Sequence, residues 1–79
     1  MSKLKDKRNE KGYTQSQLSE LSGIKFQVIQ QYETGYRNID GAKLDTLLKL
    51  AAALDCRIYE FLEDPEIQKQ LVKYENKRK

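Results

Sequence analysis

Three glutamines, Gln27, Gln30 and Gln31, crowd a short segment that also carries Phe26. A glutamine amide sets a hydrogen-bond donor beside an acceptor on one flat head. That pair matches the N6 donor and N7 acceptor on the major-groove edge of adenine, and a good bidentate contact discriminates by about 1–3 kcal/mol. If the segment is helical, Gln27 and Gln31 lie one turn apart and project the same way. They are the leading candidates for reading bases, with Gln30 and Phe26 beside them. Phe26 has two readings: an apolar contact with thymine methyls, or a ring folded back onto Ile24 or Val28.

Such residues act only when a rigid element presents them. The stretch Thr14 to Gly35, TQSQLSELSGIKFQVIQQYETG, carries two short amphipathic helix patterns joined at Ser22-Gly23-Ile24. That is the pattern of a helix-turn-helix, whose second helix enters the major groove of duplex DNA. The first of the two opens with Thr14 as N-cap and Gln17 at the capping-box spacing, while Tyr13 and Leu18 take the hydrophobic-staple positions. Leu18 and Leu21 are expected to bury one face, and Gly23 to end the helix in the left-handed region. Ile24 pins the turn. The next helix runs from Lys25, a poor N-cap, to about Thr34, with Ile29 and Tyr32 inward and Gly35 as its stop.

The flanking segments also read as helices, without sustained period-two alternation. Ser2 to Lys11 is a polar helix with Leu4 and Arg8 on one face. A loop over 36–41 leads to a fourth helix whose stripe is Leu44, Leu47, Leu48, Ala51 and Leu54. A short fifth helix is expected from Arg57 to Leu62. Asp64-Pro65 then supplies the N-cap and first turn of a last one.

Composition bounds the function. The 79 residues suit one small domain, and 34% charged residues with a net charge of +3 make it mildly basic, fitting an anionic partner. There is no histidine, and the single Cys56 lies in an apolar helix junction, where a buried thiol is expected. Catalysis and metal binding therefore find no residue set, and no cofactor is expected. A lone cysteine also points to a reducing, cytoplasmic setting. No apolar run follows the lysines near Met1, and Leu47 to Leu54 is too short to span a bilayer, so neither a secretory signal nor a membrane partner is expected.

The run from Leu4 to Leu62 resembles the phage-repressor/Cro type of helix-turn-helix domain, the XRE-like regulators. The resemblance rests on Lys11-Gly12-Tyr13-Thr14-Gln15, Leu18, Ser22-Gly23-Ile24, Ile29, Tyr32-Glu33-Thr34-Gly35 and LDTLLKLAAALDCRIYEFL. It implies an all-α, compact five- to six-helix, lambda-repressor-like domain over 1–63, with a helical tail over 64–79. In that family the start of the third helix docks on base edges, which selects Gln27, Gln31, Phe26 and Gln30. The resemblance makes Gln15 a phosphate contact that also braces the recognition helix. Lys25, Tyr36, Arg37, Asn38 and Lys43 flank that helix as expected backbone contacts, setting register without reading sequence. Arg8 and Glu33 match a family pair that ties the first helix to the end of the third. Lys7 departs from the pattern by replacing a core leucine, which implies a loosely packed first helix.

The expected function is a sequence-specific regulator of transcription, a repressor by family resemblance, acting as a homodimer on a double-stranded DNA operator. One recognition helix reads few bases, and two-fold proteins match half-sites roughly 34 Å apart. The alternative is a protein-interaction module, such as an antitoxin or small adaptor regulator. Its surface would be the tail stripe Ile67, Leu71, Val72 and Tyr74, for which packing on the domain is favoured over a second copy and over a foreign partner.

Overall fold

Local hydrogen bonds fix most of the helix ends. The Thr14 hydroxyl accepts from the Gln17 amide at 3.1 Å, and the Gln17 side chain accepts from the Thr14 amide at 2.8 Å. This closed capping box satisfies two backbone donors that the helix start would otherwise leave open. Ser2 caps the first helix through Lys5, and Asp64 caps the last through Glu66.

The computed structural model describes residues 2–77, and all regular structure among them is helical. The α-helices are α1 (Lys3–Glu10), α2 (Gln15–Ser22), α3 (Phe26–Thr34), α4 (Leu44–Leu54) and α5 (Pro65–Lys77). Two 3-10 turns, Ile39–Gly41 and Ile58–Phe61, fill the connections on either side of α4. The expected fifth α-helix over Arg57 to Leu62 is thus a 3-10 turn. The segment 36–41 is more than a loop, since Ile39 is buried in the core.

α2 packs against α3 and α4, α1 against α3 and the second 3-10 turn, and α5 against that same turn. One core joins Leu4, Leu18, Ile24, Ile29, Ile39, Leu47, Leu50, Leu54, Phe61 and Leu62. Burying a side chain of this size stabilises by about 1.5–3 kcal/mol.

Two expected apolar faces are rotated. On α2 the inward line is Leu18 and Ser22, one turn apart, and Leu21 lies exposed on the flank. On α4 the buried face is Leu47, Leu50 and Leu54. At 3.6 residues per turn, Leu44 and Leu48 fall roughly 90° and 130° from the centre of that face, and both are exposed. Ile67 and Leu71 of the tail stripe pack on the core, Val72 is half-buried and Tyr74 is exposed.

Lys7 does not leave α1 loose. Its ammonium reaches Glu60 at 2.8 Å and Glu10 at 3.3 Å, so a cross-element ion pair stands where a leucine would pack. The bond from Lys7, with one from the Arg57 amide, holds the Glu60 carboxyl below the usual carboxylate range. The contribution of the pair is therefore complete at neutral pH and fades only as acid protonates Glu60 in the folded protein. Cys56 is half-buried rather than buried, and its partial burial pushes the thiol pKa up.

Gly23 ends α2 at φ 76°, and a Cβ built there would meet nothing within 4 Å. Gly23→Ala should therefore lower stability by backbone strain alone, by roughly 1–2 kcal/mol. Gly41 lacks a positive φ and has only an ordinary 3.9 Å neighbour. Gly41→Ala should change stability by about 0.5 kcal/mol or less. Urea unfolding of the two variants checks the contrast.

Candidate nucleic-acid interface

The turn between α2 and α3 is clamped by two serines. Ser19 Oγ donates to the Ile24 carbonyl at 2.5 Å, and the Ile24 amide donates to Ser22 Oγ at 3.1 Å. With Ile24 buried between them, the angle of α3 against α2 is set by covalent and hydrogen-bonded geometry together. Two serines in the turn that leads into a helix-ending glycine, Ser19 and Ser22, were the available signal for this clamp, and the sequence reading passed over their side chains.

α3 divides along its length. Ile29 is fully buried, with Val28 and Tyr32 packed partly against the core. Gln27 and Gln30 are exposed, and Phe26 keeps 43% of its surface in solvent. Phe26 is not among the side chains packed on the core, unlike its neighbour Val28. The helix thus offers a mixed apolar and amide face at its first turn.

A buried ion pair holds the other end. Arg8 Nε donates to Glu33 Oε2 at 2.8 Å and Nη2 donates to Glu33 Oε1 at 3.0 Å. Nη1 donates to the Tyr13 carbonyl at 2.8 Å, tying in the α1–α2 turn. Gln15 Nε2 donates to Glu33 Oε1 at 3.0 Å, so its amide is engaged in bracing α3. The carboxylate keeps only 2% side-chain exposure and the guanidinium 10%. The hydrogen bond from Glu33 outweighs desolvation and raises the Arg8 pKa further. The Tyr13 carbonyl as a third partner carries no side-chain signature and was not foreseen.

The remaining candidates lie at the start of α3 and along the segment that leads from it to α4. Lys25 and Lys43 are exposed and occupy the N-cap positions of α3 and α4, where neither makes a side-chain cap bond. Lysine is a poor cap, and its charge opposes the positive end of the helix dipole. Tyr36 is 81% exposed. Asn38 is exposed too, but its Oδ1 accepts from the Asp40 amide at 3.0 Å and caps the first 3-10 turn. Asp40 was missed: its carboxylate accepts from the Glu63 and Asp64 amides at 2.8 and 3.1 Å, anchoring the approach to α5. Gln31 differs from Gln27 and Gln30 in being half-buried, and its Oε1 accepts from Arg37 Nε at 2.5 Å.

Two helices joined by a clamped turn, the second presenting exposed amides, define the class of DNA-binding helix-turn-helix domains. The chain belongs to the XRE-type, Cro/repressor-like helix-turn-helix family: the helix-turn-helix family model matches residues 4–61. This is a family of DNA-binding regulators. Comparison with curated proteins and with solved structures gave no significant match. No helix among the described residues is long and apolar enough to cross a membrane.

Removing one partner of the Arg8–Glu33 pair leaves a buried charge alone. Arg8→Met should cost roughly 3 kcal/mol. The double variant Arg8→Met/Glu33→Gln should recover part of that loss, because no charge is then stranded. Denaturant midpoints of the single and double variants provide the check.

Proposed function

We propose that the protein is a sequence-specific transcriptional regulator that binds an operator as a homodimer and represses by occluding a promoter. The observation that carries this reading is the exposed amide face of α3, held at its first turn by the serine clamp and at its last by Arg8–Glu33. Gln27 is the leading base reader, with Gln30 beside it and Phe26 offering an apolar contact to thymine methyls. Lys25 and Lys43 neutralise phosphates at helix starts whose amides also favour anions. Tyr36 and the Asn38 amide extend that contact, while Gln15 serves chiefly as a brace. A homodimer supplies the second recognition helix that a two-fold operator needs. Acting on DNA, the protein works in the cytoplasm and needs no cofactor.

The rival role, binding a protein partner through the C-terminal helix, has less to stand on. Ile67 and Leu71 are turned onto the core, so much of the apolar stripe is occupied by the domain itself.

Fluorescence-anisotropy titration of DNA upstream of the gene for this protein, beside a scrambled duplex and across a salt series, tests the proposal. Tight, sequence-dependent binding that weakens with salt is expected; equal, feeble binding to both duplexes would sink it. Gln27→Ala should reduce the discrimination between specific and scrambled duplex by about 1–3 kcal/mol with the salt slope unchanged. Lys43→Ala should weaken both duplexes alike and reduce the slope by about 1.

A further inference from the structure

Gln31 and Arg37 were read from the sequence as separate parts, one reading adenine and the other clamping phosphate. Their geometry joins them. Gly35, at φ 84°, turns the chain back after α3. The Arg37 amide then donates to the Gln31 carbonyl at 3.0 Å, and the Arg37 side chain donates from Nε to Gln31 Oε1. Backbone and side chain therefore fasten the same two residues. Thr34 Oγ1 also donates to the Gln31 carbonyl, at 3.3 Å. Gln31 is half-buried, so its head has less freedom to rotate than those of Gln27 and Gln30.

This contact changes what Gln31 can recognise. A free glutamine amide offers donor and acceptor together and suits adenine. With one of its two lone pairs turned to the Arg37 cation, Oε1 is left the weaker acceptor, while both N–H donors of the amide remain to be offered. The Arg37 bond uses Nε and leaves the terminal nitrogens Nη1 and Nη2, which carry donors alone. The combined head is thus cationic and dominated by donors. In the major groove, two adjacent acceptors on one base are the O6 and N7 of guanine, whereas adenine sets an N6 donor beside N7 and repels such a head.

We infer that Gln31 and Arg37 form one composite specificity element that selects guanine at the base pair facing the middle of α3. This rests on the reading of α3 as the recognition helix, and makes Arg37 a specificity residue rather than a phosphate clamp. The half-site then pairs two chemistries: adenine opposite the unengaged amide of Gln27, guanine opposite the Gln31–Arg37 pair.

Selection of binding sites from a randomised duplex pool, with the full-length protein and its R37M variant, tests the inference. Arg37 is exposed, and circular dichroism confirms that the variant is folded before selection. The wild type should enrich a motif with guanine favoured over adenine by about tenfold at one position. R37M releases Oε1 of Gln31 and should reverse that preference to adenine, while the position governed by Gln27 keeps its base. An unchanged motif bound uniformly more weakly would show Arg37 to be a phosphate contact and overturn the inference. Loss of the guanine preference without a turn to adenine would also overturn it, because Arg37 would then act without Gln31. If the wild type enriches no motif, the reading of the protein as a sequence-specific DNA binder fails, and the inference with it.

Discussion

A carboxylate with almost no access to water must be paired, and Glu33 is paired three ways. Two bonds come from the Arg8 guanidinium and one from the Gln15 amide. Because Arg8 also holds the Tyr13 carbonyl, a single charge cluster joins α1, the α1–α2 turn, the start of α2 and the end of α3. Neutral hydrophobic contacts tolerate small slips in register. A bidentate guanidinium–carboxylate contact does not, since both partners lose solvation before they meet. The orientation of the recognition helix is therefore specified by electrostatics at one end and by the serine clamp at the other. Between those ends, Ile29 anchors the helix to the core and the opposite face stays open.

Local stability rules are obeyed where the fold is built and broken where a ligand would bind. Thr14, Ser2, Asn38 and Asp64 all cap their elements with side-chain oxygens. Lys25 and Lys43 stand at helix starts without capping them, and each sets a cation against the positive end of a dipole. Lys25 leads directly into the helix that carries Gln27 and Gln30. Phe26 breaks another rule by placing an aromatic ring in solvent at the first turn of α3. Such departures are expected at functional surfaces, where the partner completes the interaction that the free protein lacks.

The second 3-10 turn shows how a polar substitution can be absorbed in a small core. Phe61 and Leu62 provide its buried weight, while Glu60 faces α1 and receives Lys7. The same turn receives α5, whose Gln68 amide donates to the Tyr59 carbonyl at 2.9 Å. The C-terminal helix is thus fastened to the fold by polar contacts as well as by Ile67 and Leu71. This explains why its stripe is only partly available to anything else.

Capping boxes, helix-ending glycines and the spacing of Leu18, Ile24 and Ile29 depend on residues within one or two turns of each other. The sequence by itself therefore determined the helical class, the order of the helices and the position of the helix-turn-helix. Faces were harder to read. The run LDTLLKLAAAL is rich enough in leucine to support more than one stripe, and only packing against α2 and the second 3-10 turn chose Leu50 over Leu48. Ser22 holds the inward place expected of Leu21, and its buried oxygen accepts from the Ile24 amide. The residue types of the site were legible, since glutamines and lysines announce their chemistry. Their states were not. Whether a glutamine keeps its acceptor, or a lysine replaces a leucine without loosening a helix, depends on partners distant in the chain or brought close by a reversal of the backbone. Arg37 on Gln31 and Glu60 on Lys7 are contacts of that kind, and tertiary structure alone decided them.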